Sequence, residues 1–507
     1  MPGLRWEAEG YGPVPDRWIQ SGAAGLIVFG GAADAACAEI ARVRALVDRG
    51  LIFGADLERG AGQQFAGATP LPPAAAFGAL DRTEVTKAAA ALTTREARAI
   101  GVDVVFAPLA DIASEIDNPI VGPRAFSANP ECVSRHAAAW VAGARESGAW
   151  SCAKHFPGHG RTTGDSHVGG VSIAADQSTV EADWEPFAAT IAEGVPMVMT
   201  AHVSVPSLDP SGRPATRSKP ILQGGLREKL GFSGLIVTDA LLMAGAGEAA
   251  QAAVEAIEAG VDLLLYPEDP DVVATALAEA AEADPGFRAA LERASRRVRG
   301  AAEQIREARS GGAEVDTLVA NAATPGVNAV PPAAEALPPE DKHPGWGLDE
   351  DRDQAMRWAA ASIRAPGTGD PPLEEGARVH LTDIDDDLGG PFPPPSRAPF
   401  RDQLARTVHL VDADSADHRV IAVWADTRGW KGRAGLSVAS MAAVREALSK
   451  GLPTEAGGAT APSTHVVVFG GLRPAMDLPA GTAHWLAWGG EELMQRAAAD
   501  RLTGRSA

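Results

Sequence analysis

Residues 150–167 read "WSCAKHFPGHGRTTGDSH". The first seven form a short, mostly apolar run closed by a Pro-Gly turn, which reads as a strand. Lys154 and His155 stand at its C-terminal end, and the loop beyond adds His159, Asp165 and His167, so three of the chain's 11 histidines fall together. One strand loaded at its C-terminal end says little about fold. Several in series say a great deal.

Similar runs recur through the first 270 positions: "GLIVF" (25–29), "LIFGAD" (51–56), "DVVFAP" (103–108), "MVMTAHV" (197–203), "GLIVTD" (234–239) and "VDLLLYP" (261–267). Ala-rich segments of helical periodicity, such as "AACAEIARVRALVDRG" and "EAAQAAVEAIEAG", lie between them. Buried strands without polar/apolar alternation, interleaved with helices, mean a parallel α/β sheet. Seven clear strands, with a weaker eighth near "LRWEAEGYG", predict a (β/α)8 TIM-like barrel. Asp56, Lys154, His155, His202 and Asp239 are expected at strand C-termini, where such barrels build their sites; an open doubly wound sheet loads mainly one switch point. No G-x-G-x-x-G opens a helix after the first strand, so a dinucleotide fold lacks its fingerprint.

At 507 residues two domains are expected. Residues 1–310 are read as the barrel. The Pro/Ala/Gly-rich stretch 311–350 is read as a linker. Residues 351–507 are read as a smaller α/β sandwich domain with strands at "RVHLTDI", "RVIAVWAD", "HVVVFGG" and "AHWLAWG". Its bland reading, a stabiliser of the barrel or a dimer surface, is preferred, although Trp430, Lys431 and Arg433 in "TRGWKGRAG" (427–435) would suit the border of a sugar site.

The formal charge of −21 argues against a nucleic-acid partner. Three widely spaced cysteines, Cys37, Cys132 and Cys152, are neither a disulfide framework nor a zinc pattern and fit a reducing compartment. The N-terminal sequence lacks the basic start and apolar run of a signal peptide, and no uncharged apolar stretch reaches the roughly 20 residues of a membrane span. A cytoplasmic location is the expectation. Oligomeric state is not legible.

Three chemistries compete for the histidine cluster. His155 and His159 have the i, i+4 spacing of zinc ligands on a helix, but Phe-Pro-Gly between them rules that helix out. The glycines of "GHGRTTGDSH" lack the order of a phosphate-binding loop. Core or capping roles would explain one such residue more easily than Lys154, His155, Asp165 and His167 together. Acid/base chemistry remains: Asp165, two residues from His167, is placed to orient its imidazole and stabilise the protonated form. Asp239, ending an otherwise uncharged strand, is the nucleophile such a dyad needs for glycosyl transfer through a covalent intermediate. This chemistry implies no cofactor and no metal.

At these residues the chain resembles glycoside hydrolase family 3, in its β-N-acetylglucosaminidase branch of two-domain members. "KHFPGHG", "DSH" and "GFSGLIVTDALLM" match that branch's motifs in order; "GADLERGAGQQF", "VFAPLADIASEIDNPIVGPRAF" and "TAHVSVPSLDP" look like its other strand ends. The resemblance runs over essentially the whole chain. It implies that Asp239 is the nucleophile, that His167 held by Asp165 is the acid/base, and that Asp56, Arg124, Lys154 and His155 bind hydroxyls of the terminal sugar. The "DSH" loop implies a terminal β-linked N-acetylglucosamine as substrate. The chain departs from the family at Ala61 and Gln64, where arginines are usual, and at Ala240, where an Asp is common.

The expected reaction is retaining, exo-acting hydrolysis. A phosphorylase using inorganic phosphate stands as an alternative, because a neutral imidazole base does not repel a phosphate dianion and Lys154 or Arg161 would help hold it. A non-catalytic sugar-binding protein on the same fold is the other.

Overall fold

The computed structural model describes residues 1–7, 10–12, 14–164, 169–310, 345–365, 372–387, 394–426, 431, 433–449 and 463–505. Contacts group them into two compact units. The first comprises 1–70, 82–114 and 127–351; the second comprises 71–81, 115–126 and 352–507. Two short stretches from the first third of the chain thus cluster with the C-terminal residues. Most of the expected linker, 311–344, lies outside the described residues, and its last two positions begin the helix Asp349–Ser362.

Eight parallel strands make the first unit: β1 (Gly3–Glu7), β2 (Gly25–Phe29), β3 (Ile52–Ala55), β4 (Val104–Val105), β5 (Trp150–Phe156), β6 (Met197–Thr200), β7 (Leu235–Ala240) and β8 (Leu263–Leu265). Each pairs with the next in sequence, and helices or short helical turns fill the crossovers. The seam between β8 and β1 closes through Met1, whose carbonyl accepts from Tyr266 N at 2.8 Å and whose nitrogen donates to Leu264 O at 2.8 Å. This is the closed (β/α)8 barrel, and the weak eighth strand proves to be its first.

Side-chain alternation sorts the strands into two apolar layers. Ile27, Ile52, Cys152, Met197, Met199, Leu235, Val237 and Leu263 share the barrel interior. Ala153, Val198 and Ile236 point outward, toward Val141, Phe187, Leu222 and Ala256 on the surrounding helices. Because inward positions repeat every second residue, Lys154 continues the column of Cys152, and Asp239 that of Val237.

The N-terminal end of the barrel is clamped electrostatically. Asp103, immediately before β4, receives Arg44 at 2.6 Å, Arg309 at 2.5 Å and the Phe53 amide at 2.8 Å. Asp262, immediately before β8, receives Arg227 at 2.7 Å, Arg297 at 2.9 Å and the Ile236 amide at 2.9 Å. Arg297 and Arg309 both lie on the long helix Pro285–Arg309.

The second unit carries five parallel strands: β9 (Arg378–Asp385), β10 (His409–Leu410), β11 (His418–Ala425), β12 (Thr464–Gly470) and β13 (His484–Leu486). Their order is β10-β9-β11-β12-β13. Cys37, Cys132 and Cys152 are unbridged. Among the described residues no helix is long and apolar enough to cross a membrane.

Candidate active site

The barrel's C-terminal end gathers charge that its interior cannot tolerate. Lys154, only 2% exposed, is neutralised by two carboxylates of the segment after β3: Asp56 at 2.7 Å and Glu58 at 2.7 Å. A buried ammonium persists when paired in this way. The next residue, His155, directs Nδ1 to Asp111 Oδ2 at 2.7 Å. Asp111 also accepts from the His155 amide (3.2 Å) and the His159 amide (2.7 Å).

Asp111, six residues past the end of β4, was not singled out from sequence, because it sits in an apolar run, "APLADIA", without a histidine nearby in sequence. An acidic residue shortly after a barrel strand was the available signal, and the structure buries it fully. Burial pushes its carboxyl up, but His155 and the bonds from His155 and His159 prevail and hold it below the ordinary range. An ionised Asp111 accepts Nδ1–H and leaves His155 Nε2 turned toward Asp239 Oδ2, 4.0 Å away.

Asp239 is the residue on which these contacts converge. Its Oδ1 accepts from the Ala240 amide at 2.8 Å. Burial raises its pKa, but the charges of His155, His202 and Lys154 together with that amide outweigh burial, so the carboxyl is held low and stays ionised. His202 is fixed beside it: Nε2 donates to Ala240 O at 3.2 Å, and Nδ1 lies 3.0 Å from Thr216 Oγ1. His159 is turned to a different partner. Its Nδ1 engages Thr162 Oγ1 at 2.8 Å, and burial with the neighbouring His155 pushes its pKa down to about 4.

Asp56, Lys154, His155 and Asp239 are therefore gathered at one end of one barrel. Arg124 ends a turn, Gly122–Arg124, belonging to the second unit, and its Nη1 donates to Ile120 O at 3.3 Å. Asp165 and His167 lie outside the described residues. At the departures noted from sequence, Ala61 is buried and Gln64 Oε1 accepts from the Gly30 amide at 3.0 Å, a structural bond. Arg161 makes a two-point pair with Asp183 at 2.5 and 2.9 Å.

A partly buried, ionised carboxylate near a strand terminus, flanked by imidazoles and by the Lys154–Asp56 pair, is suited to attack on an electrophilic carbon. Residues 21–301 match the family model described as the glycosyl hydrolase family 3 N terminal domain. The chain is 39% identical over 283 residues to the beta-hexosaminidase of Methylococcus capsulatus (strain Bath), a match covering 52% of this chain and 82% of that protein. Among solved structures it is similar to a glycoside hydrolase family 3 beta-N-acetylglucosaminidase from Paenibacillus sp. str. FPU-7, with a TM-score of 0.79 and 23% identity over 100% of this chain and 95% of that one. It is also similar to the beta-glucoside phosphorylase BglX, with a TM-score of 0.76 and 21% identity over 96% and 88%. At those identities the two structures speak to the fold alone.

Proposed function

The chain belongs to glycosyl hydrolase family 3, and we propose that it is an exo-acting β-N-acetylglucosaminidase working by a retaining mechanism. The observation that carries this reading is Asp239, kept ionised at the end of β7 with His155–Asp111 behind it and Lys154–Asp56 beside it. The beta-hexosaminidase relative supports the substrate class.

Asp239 attacks the anomeric carbon of a terminal β-linked N-acetylglucosamine. The leaving oxygen takes its proton from His167, held by Asp165. The imidazole then removes a proton from water, which displaces Asp239. Proton transfer of this kind contributes roughly 10²–10⁴-fold. Asp56, Lys154 and His155 hold sugar hydroxyls. The free thiols Cys37, Cys132 and Cys152 suit a cytoplasmic site of action.

Water is favoured over phosphate as acceptor on a specific ground. The two cations best placed in the sequence to hold a phosphate, Lys154 and Arg161, are each bound to carboxylates. The test is nitrophenol release from p-nitrophenyl N-acetyl-β-glucosaminide with and without millimolar phosphate, with product analysis. Free N-acetylglucosamine at a phosphate-independent rate is expected. A sugar phosphate formed only with phosphate would make the protein a phosphorylase, and silence under both conditions with retained sugar binding would make it a binding protein.

A further inference from the structure

Opposite Lys154 and His155 around the barrel mouth, the arc formed by β8, β1 and β2 carries a group that the proposed mechanism leaves unused. Arg5 on β1 stands in register with Phe29 on β2. Its guanidinium carbon lies 4.9 Å from the Phe29 ring centroid and 5.2 Å from that of Tyr266, just past β8. The two rings are 5.1 Å apart, and Arg5 Nε donates to the Tyr266 hydroxyl. Tyr266 O in turn accepts from Leu242 N at 3.1 Å, three residues beyond Asp239. Around the ring of strands, Arg5 is two positions from Asp239 on one side and two from Asp56 on the other.

This arrangement is held at a cost. Tyr266 adopts a left-handed backbone with φ of +48°, uncommon outside glycine. Beneath its ring sits Gly3, where a Cβ would come within 2.1 Å of Tyr266 Cε2, so a side chain is forgone in the middle of the seam. Both features serve to lay the ring where its hydroxyl meets Arg5. The chain has only two tyrosines, and one is spent here. Arg5 is exposed, and among the described residues no carboxylate pairs with it. A guanidinium lying against two rings is weakly hydrated and pre-oriented, and with Nε occupied its two terminal nitrogens remain as donors.

We infer that Arg5 is a substrate-binding residue, its guanidinium donating to ring hydroxyls of the sugar whose anomeric carbon faces Asp239. The inference rests on the glycosidase reading and adds a wall of the sugar pocket supplied by β1 and held by Tyr266.

The experiment compares Arg5→Ala, Arg5→Lys and Tyr266→Phe with wild type on the aryl N-acetyl-β-glucosaminide and on its 3-, 4- and 6-deoxy analogues, with melting temperatures alongside. A charge-assisted hydrogen bond predicts a fall in kcat/KM of about tenfold to a hundredfold for Arg5→Ala on the parent sugar. That loss should shrink to about threefold or less on the one deoxy analogue lacking the partner hydroxyl. Arg5→Lys and Tyr266→Phe should show smaller losses with the same deoxy signature. An Arg5→Ala enzyme within about twofold of wild type, or one losing equally on the parent and every analogue, overturns the inference. If wild type turns over none of these glycosides, it is the glycosidase reading that has failed. Arg5 is then judged by calorimetric binding of N-acetylglucosamine, where binding by wild type lost in Arg5→Ala upholds it, and equal binding or none by either protein overturns it.

Discussion

At the N-terminal end of the barrel, Asp103 and Asp262 each take two arginines and one backbone amide. At the C-terminal end, Asp239 takes one amide at 2.8 Å and an imidazole nitrogen at 4.0 Å. The lower pair are each held by three close donors, two of them charged. The upper one is charged but only loosely bonded, which is what a nucleophile requires: full hydrogen bonding would have to be surrendered as the new bond forms. The titration behaviour follows the same division. Burial pushes the Asp262 carboxyl up, with Arg227 and Arg297 offsetting only part of it, whereas Asp239 is held low and ionised. On the proposed reading, the same eight strands carry stability at one end and reactivity at the other.

The largest separation between the two ends should come from paired truncations. Asp239→Ala is expected to lower kcat by about 10³-fold or more while leaving the melting temperature unchanged or slightly higher, since a charge kept for function is removed. Asp103→Ala should do the reverse, costing about 3 kcal/mol by stranding Arg44 and Arg309 while kcat per folded molecule persists. Denaturant unfolding and active-site-normalised rates check both. A stability loss from Asp239→Ala as large as that from Asp103→Ala would erase the distinction.

A middle-sized effect is expected at Asp111→Asn, which keeps shape but removes the charge behind His155. We expect kcat/KM to fall about tenfold to a hundredfold and the acid limb of its pH profile to move, with little change in unfolding free energy beyond about 1–2 kcal/mol. A pH-rate series on the variant decides whether Asp111 belongs with the reactive end or the structural one.

The narrowest effect, confined to acid pH, concerns His159. It stays neutral in the folded protein down to about pH 4, whereas an unfolded histidine takes its proton near 6.5. Between those values the unfolded state binds more protons, so stability rises with pH across that window and is lost as pH falls from about 6.5 toward 4, by on the order of 3 kcal/mol for this group. Unfolding free energies of wild type and His159→Gln at pH 7 and pH 4.5 should converge on acidification. Parallel curves would show that the proton is taken up elsewhere.

The barrel was legible because its strands are apolar on both faces and end in charge; "GLIVTD" and "WSCAKHF" show both features within a few residues. β1 was the hard strand. "GLRWE" carries Arg, Trp and Glu in five residues, since its upper half faces the mouth, so the pattern that marks a buried strand is interrupted where the site begins. Asp56, Lys154, His155 and Asp239 were found by their position at strand ends. Asp111 was missed because its partner His155 is 44 residues away and nothing local announces the bond. The arginines that clamp Asp103 and Asp262 were invisible for the same reason. Helix periodicity shows which face is buried but does not say which distant carboxylate an arginine at its edge will meet. The clustering of 71–81 and 115–126 with the C-terminal residues is likewise a long-range choice that no composition shift marks.

The closure of the β8–β1 seam through Met1 has a consequence for how the chain is made. The strands that meet there are the first and last of the barrel, so some 260 residues are synthesised between them, on the order of 10–50 s of translation. Through that interval only the lower half of β1 presents an open hydrogen-bonding edge, because the short strand Gly10–Tyr11 folds back antiparallel onto Trp6 and Glu7 and covers the upper half. The local hairpin thus shields part of the first strand for most of the barrel's synthesis, and the rest of that edge waits for the eighth strand.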